Sequence, residues 1–110
     1  MIDPEHSAER IRNIAADYGK AKGDRVYLEE FRRSKKAMLM KDCFSLGIEA
    51  ANAQEREALA DPEYHSLLKG LAAAVEKEET LKWELEAAKM EVEIWRTQQA
   101  NERMVLRSHE

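Results

Sequence analysis

The sequence predicts an all-α chain: two long helices in an antiparallel coiled-coil hairpin with a short connecting helix, dimerising into a four-helix bundle. Three observations predict it. Gly and Pro are scarce, four and two in 110 residues, whereas a β-rich chain would need many more turn residues. Charged residues make up 36%, and Glu, Lys, Arg, Ala and Leu dominate, which is the palette of long helices and coiled coils. Near the C-terminal end, apolar residues recur at alternating three- and four-residue steps, the signature of a helix laid along a partner.

The chain reads as a single helical domain over residues 1–110. The first helix is expected over residues 4–46. Asp3 is a good N-cap, and Pro4 is tolerated at the first helical position because its missing N–H has no partner there. Gly47 marks the C-cap. Gly19 and Gly23 interrupt the pattern at about 1 kcal/mol each relative to Ala, so a break at 19–23 is a second reading of this stretch. Its seam runs through Ile11, Ile14, Tyr18, Ala21, Leu28 and Phe31, with Arg25 and Arg32 in core slots where long basic side chains can lay their stems.

A short, Ala-rich helix is expected over residues 49–59. Asp61-Pro62-Glu63 then opens the last helix, expected over residues 62–107. Pro62 pushes Asp61 out of the helical region, so the preceding helix has to stop. The last helix carries one seam of Leu67, Leu71, Ala74, Leu81, Leu85, Ala88, Val92 and Trp95, with Glu78 in one slot. A turn near residues 50–58 would bring Arg32 or Arg33 to Glu78 and set the register of the hairpin.

A second set on the last helix, Trp83, Ala87, Met90 and Ile94, has the same spacing but points to nearly the opposite side. A lone hairpin needs only one stripe, so this face requires a cover. Three covers are open: a second copy of the chain, an N-terminal segment folded back beyond a break at 19–23, or a different protein. These four residues are the candidate oligomer interface. At heptad spacing Trp83 and Trp95 read as interface anchors before they read as stacking platforms for bases.

Arg32, Arg33, Lys35, Lys36 and Lys41 put five basic residues within ten, with no acid between, and form the candidate nucleic-acid contact. The competing reading is a solvated face paired with Glu on another helix. A net charge of −4 argues against general nucleic-acid binding while leaving room for such a local patch. The glutamates from Glu76 to Glu93 are interleaved with Lys77, Lys82 and Lys89 and read as a solvated face.

No cofactor, metal or catalytic residue is expected. His6, His65 and His109 share no ligand spacing, there is no Glu-x-x-His pair, and no phosphate loop or nucleophile elbow is present. Cys43, the one cysteine, reads as a buried structural residue in a reduced setting. The N-terminus has no signal-peptide pattern, and no stretch approaches the ~20 apolar residues of a membrane span. A cytoplasmic protein with no membrane contact is therefore expected.

The stretches from Tyr27 to Lys41 (YLEEFRRSKKAMLMK), from Ala53 to Tyr64 (AQEREALADPEY) and from Leu81 to Arg103 resemble small helical proteins of temperate bacteriophages and prophages, and the resemblance covers most of the chain. Such proteins tend to be encoded among early genes for recombination and replication. The resemblance implies a role in phage DNA metabolism in the host bacterial cytoplasm and does not itself establish DNA contact. It transfers no site residues. Joined to the residue pattern, it gives the expected function: a non-enzymatic accessory of phage DNA recombination or replication, a homodimer through the second stripe of the last helix that binds a protein partner, with contact to single-stranded DNA through the basic run. Two other functions are compatible with the residues: an inhibitor or adaptor of a host protein without nucleic-acid contact, and a structural coiled-coil part of a larger assembly.

Overall fold

The computed structural model describes residues 2–109. They form three helices, α1 (Pro4–Ser45), α2 (Ala51–Ala60) and α3 (Pro62–Ser108), and no strand.

The same tripeptide, Asp-Pro-Glu, opens both long helices. The Glu5 N–H donates to the Asp3 carboxylate at 3.0 Å, and the Glu63 N–H donates to the Asp61 carboxylate at 2.8 Å. Each Asp carbonyl then accepts the first helical bond, from Ser7 and His65 respectively. In both places a side chain satisfies an otherwise orphaned N–H, and Pro supplies a residue that has none to satisfy. Asp61 itself is extended (φ −68°, ψ 134°), as the following proline requires.

α1 ends in a Schellman motif. Gly47 has φ +96°, the Ile48 N–H donates to the Cys43 carbonyl, and the Gly47 N–H donates to the Phe44 carbonyl, each at 3.0 Å. Gln54 then ties the connection to α2 by donating to the carbonyls of Ile48 and Glu49 at 2.8 and 3.2 Å. That use of the two carbonyls accounts for a short helix that begins at Ala51, two residues later than expected. The His65 ring donates to the Leu59 carbonyl at 3.0 Å and satisfies one of the last acceptors of α2.

The break considered at 19–23 does not occur, because α1 runs through Gly19 and Gly23 as continuous helix. Two glycines cost little against the propagation of a helix already nucleated on both sides and held by seam residues Tyr18, Ala21 and Arg25. Continuity also removes a folded-back N-terminal segment as the cover for the second face of α3.

The contacts divide into two compact units: a turn unit, Lys20–Glu78, and a terminal unit of residues 1–19 with 79–110. In the turn unit α1 and α3 run antiparallel, with Lys35 paired to Glu63 at 2.9 Å and Arg25 paired to Glu78. Its core is Leu39, Ala58 and Tyr64, with Met40 and Leu68 packed against them. α2 therefore closes the turn end by placing Ala58 on α1, and Lys36 fastens it through Glu55 at 2.7 Å. In the terminal unit α1 and α3 are again antiparallel, with Arg10 paired to Glu91 at 2.8 Å. Ala88 is buried there, and Ile11, Ile14, Tyr18, Leu81, Leu85, Val92 and Trp95 are half-buried.

The seam expected on α3 is the face that turns inward: Leu67, Leu71, Ala74, Glu78, Leu81, Leu85, Ala88, Val92 and Trp95 are all buried or half-buried. On α1 the inward set after Leu28 is Phe31, Lys35 and Leu39, so Arg32 is exposed and leaves the core slot assigned to it. Cys43 is half-buried rather than buried.

Candidate interaction surfaces

Successive residues of an α-helix are turned by about 100°, so the stripe of Trp83, Ala87, Met90 and Ile94 lies across α3 from the seam that faces α1. The seam is filled. The stripe is open: Trp83 is 63% exposed, Met90 62% and Ile94 53%, while Trp95 on the seam side is half-buried. The two tryptophans thus separate into one packing residue and one surface residue. The Lys82 ammonium stands 5.6 Å from the centre of the Trp83 ring, a cation–π contact that leaves the ring accessible.

Beyond polar Thr97 and Asn101 a second apolar patch lies near the end of α3. Met104, Val105 and Leu106 are each more than half exposed. With Arg10 opposite Glu91, Pro4 comes level with about Thr97, and the last turns of α3 run on past the start of α1. Met104 continues the heptad steps of the Trp83 stripe, and Leu106 continues those of the seam.

The basic cluster is divided. Lys35 donates to Glu63 at 2.9 Å and Lys36 to Glu55 at 2.7 Å, so both serve the packing of the turn unit. Arg32, Arg33 and Lys41 are exposed and form no ion pair with a described residue. The structure does not gather the five cations on one face, because their closely spaced positions point to different sides of α1. The glutamates that claim two of them come from α2 and from the first turn of α3.

The acidic slot in the seam holds the strongest polar contact. Glu78, only 8% exposed, accepts from Nε and Nη2 of Arg25, the latter at 3.1 Å, while Nη1 of Arg25 donates to Glu29 at 2.9 Å. The partner is Arg25, not Arg32 or Arg33. The sequence pattern puts Arg in two slots seven residues apart, and of these only the one farther from the turn lies in the seam. The hydrogen bond to Glu78 holds the Arg25 guanidinium above its ordinary range, and the negative charge of Glu29 adds to this. A pKa raised on folding stabilises the protein at every pH below its unfolded value, and that contribution is lost only as the pH rises through the folded value, here in strong alkali.

A groove of about 410 Å³ lies in the turn unit among Ala21, Asp24, Tyr27, Leu28, Ala73, Ala74 and Lys77. Tyr27 stacks on Phe31 (5.9 Å between centroids, 8° between planes) at its rim. The alanine run at 72–74 opposite a tyrosine is the sequence signal for it. Among the described residues no three His, Cys, Asp or Glu side chains gather as a metal-binding group, and no helix is long and apolar enough to cross a membrane. Neither family models, nor curated proteins, nor solved structures returned a match to this chain.

Proposed function

We propose that this chain is a non-enzymatic helical binding module whose docking surface is the Trp83–Ala87–Met90–Ile94 stripe of α3. One observation carries this reading: a heptad-spaced apolar stripe more than half exposed at Trp83, Met90 and Ile94, on a helix whose other apolar face is already occupied by α1. Large exposed apolar residues in register along a helix mark a surface that another helix covers. Two occupants remain open to it, a second copy of the chain, which would complete a four-helix bundle, and a different protein.

The wider role, an accessory of phage DNA recombination or replication, rests on the resemblance of the sequence to phage proteins. A second, smaller surface suits that role: the exposed, unpaired Arg32, Arg33 and Lys41 are available to phosphates of single-stranded DNA.

The test compares capture from host-cell extract by the wild-type chain, by Trp83→Glu/Ile94→Glu, and by Arg32→Glu/Arg33→Glu/Lys41→Glu. Loss of the captured proteins with the first variant alone is the expected result. Capture that survives the first variant would remove the stripe as the docking surface.

A further inference from the structure

The residues bordering the open stripe specify the charge of what covers it. Reading along α3, Trp83 and Met90 are each followed by a glutamate, Glu84 and Glu91, and Ala87 and Ile94 are each preceded by one, Glu86 and Glu93. At about 100° per residue, the first two line one border of the stripe and the other two line the opposite border. These are the positions that set partner choice in paired helices. No basic residue occupies any of them: Lys82, Lys89 and Arg96 stand just beyond the Glu86–Glu93 border, and Lys82 reaches back over the Trp83 ring. All four glutamates are exposed.

The ion pairs they already make do not remove this bias. Glu86–Lys89 and Glu93–Arg96 are three-residue pairs within one helix, and Glu91–Arg10 crosses to α1, all with both side chains about half exposed or more. Pairs of that kind hold their partners weakly and exchange readily with water or a new partner.

The border also bears on a second copy. In an antiparallel pairing of two such stripes centred between Ala87 and Met90, Glu84 meets the copy's Glu91, and Glu86 meets the copy's Glu93. In a parallel pairing, Glu86 meets the copy's Glu91. Either arrangement lines both borders with like charge, which discriminates against the pairing.

From this we infer that the Trp83 stripe takes an amphipathic helix of a different protein, one whose apolar face is bordered by Lys or Arg. The inference rests on the stripe being the docking surface and adds the chemistry of its occupant. The four glutamates reject self-pairing and select a basic partner, while Trp83, Met90 and Ile94 supply the buried contact. An anionic membrane surface is disfavoured by the same charges.

Fluorescence anisotropy with two labelled helical peptides tests it. Both carry the same Leu/Ala stripe; one has Lys and the other Glu at the bordering positions. At low salt the full-length protein should bind the Lys-bordered peptide at least about tenfold more tightly, from several border contacts changing sign together. The preference should shrink as salt screens exposed charges. The variant Glu84→Gln/Glu86→Gln/Glu91→Gln/Glu93→Gln should keep binding and lose the preference. In sedimentation the wild-type chain should be monomeric, and the four-Gln variant should self-associate. Equal binding of the two peptides, binding of neither, or a wild-type dimer dissociated by Trp83→Glu would overturn the inference. Equal binding abolished by Trp83→Glu would leave the docking surface standing and remove only the charge selection. Peptide binding unaffected by Trp83→Glu would remove both. Circular dichroism of each variant, expected to match the wild type because every changed residue is exposed, excludes misfolding as the cause.

Discussion

Glu78 and Arg25 share a two-pronged ion pair inside the hydrophobic seam between α1 and α3, in a slot where a leucine would otherwise stand. A polar pair in that position costs desolvation on both sides. Its return is registry: moving α3 by one heptad in one direction would set the Glu78 carboxylate against Tyr18, and in the other against Arg32, leaving Arg25 in the seam without its carboxylate.

Single replacements should therefore destabilise, and the double replacement should recover. Arg25→Leu leaves a carboxylate that is only 8% exposed without its fork of donors and should lower Tm by several degrees. Glu78→Leu should lower it less, because Arg25 keeps Glu29. Arg25→Leu/Glu78→Leu should return to the wild-type Tm or above, since two aliphatic side chains complete the seam. Arg32→Leu combined with Glu78→Leu should be additive, because those residues are not in contact. Thermal melts followed by circular dichroism measure all of these. An additive Arg25/Glu78 pair would show that the ion pair does not set the register.

The glycines should divide by sign. Gly47 sits at φ +96°, where any side chain meets steric resistance, so Gly47→Ala should cost roughly 1–2 kcal/mol. Gly19 and Gly23 lie inside α1, and a Cβ added at either would meet nothing within 4 Å. Gly19→Ala and Gly23→Ala should each stabilise by about 0.5–1 kcal/mol. Chemical denaturation at constant m-value separates the two groups. Destabilisation by Gly19→Ala or Gly23→Ala would mean that α1 needs to bend there.

What was legible in the sequence follows how local each signal is. The α3 seam could be read residue by residue because three- and four-residue steps repeat without interruption, and the helix starts because Asp-Pro-Glu satisfies its own backbone. The partner of Glu78 could not. Arg25 and Arg32 occupy equivalent slots one heptad apart, and periodicity does not say how many residues the turn consumes. The division of the basic cluster was hidden for the same reason. Glu55 and Glu63 reach Lys36 and Lys35 only once α2 has folded onto α1 through Gln54 and Ala58. The openness of the Trp83 stripe was legible as a surplus of apolar faces, because it needed only a count of stripes on one helix.

The two faces of α3 should respond oppositely to charge. Trp83→Glu and Ile94→Glu replace side chains that are more than half exposed and should change unfolding free energy by less than about 0.5 kcal/mol. Ala88→Glu places a carboxylate at a position 3% exposed against α1 and should cost at least ~2 kcal/mol through overpacking and desolvation. Urea unfolding reads both. A large loss from Trp83→Glu would mean that the stripe is already covered in solution.

Phosphate binding by the basic cluster should carry the mark of its divided state. Each phosphate neutralised on single-stranded DNA contributes about 0.7 to the slope of log affinity against log salt. Five cations would give a slope near −3.5, whereas the three left unpaired would give about −2. Charge reversal at Arg32, Arg33 and Lys41 should then abolish binding without lowering Tm. Reversal at Lys35 and Lys36 should act mainly by loosening the turn unit, because it sets like charges against Glu63 and Glu55 and frees α2 from α1. Filter binding of an oligonucleotide at a series of salt concentrations, alongside a melt of each variant, distinguishes the two groups. A slope near −3.5 would require Lys35 and Lys36 to leave their glutamates on binding DNA.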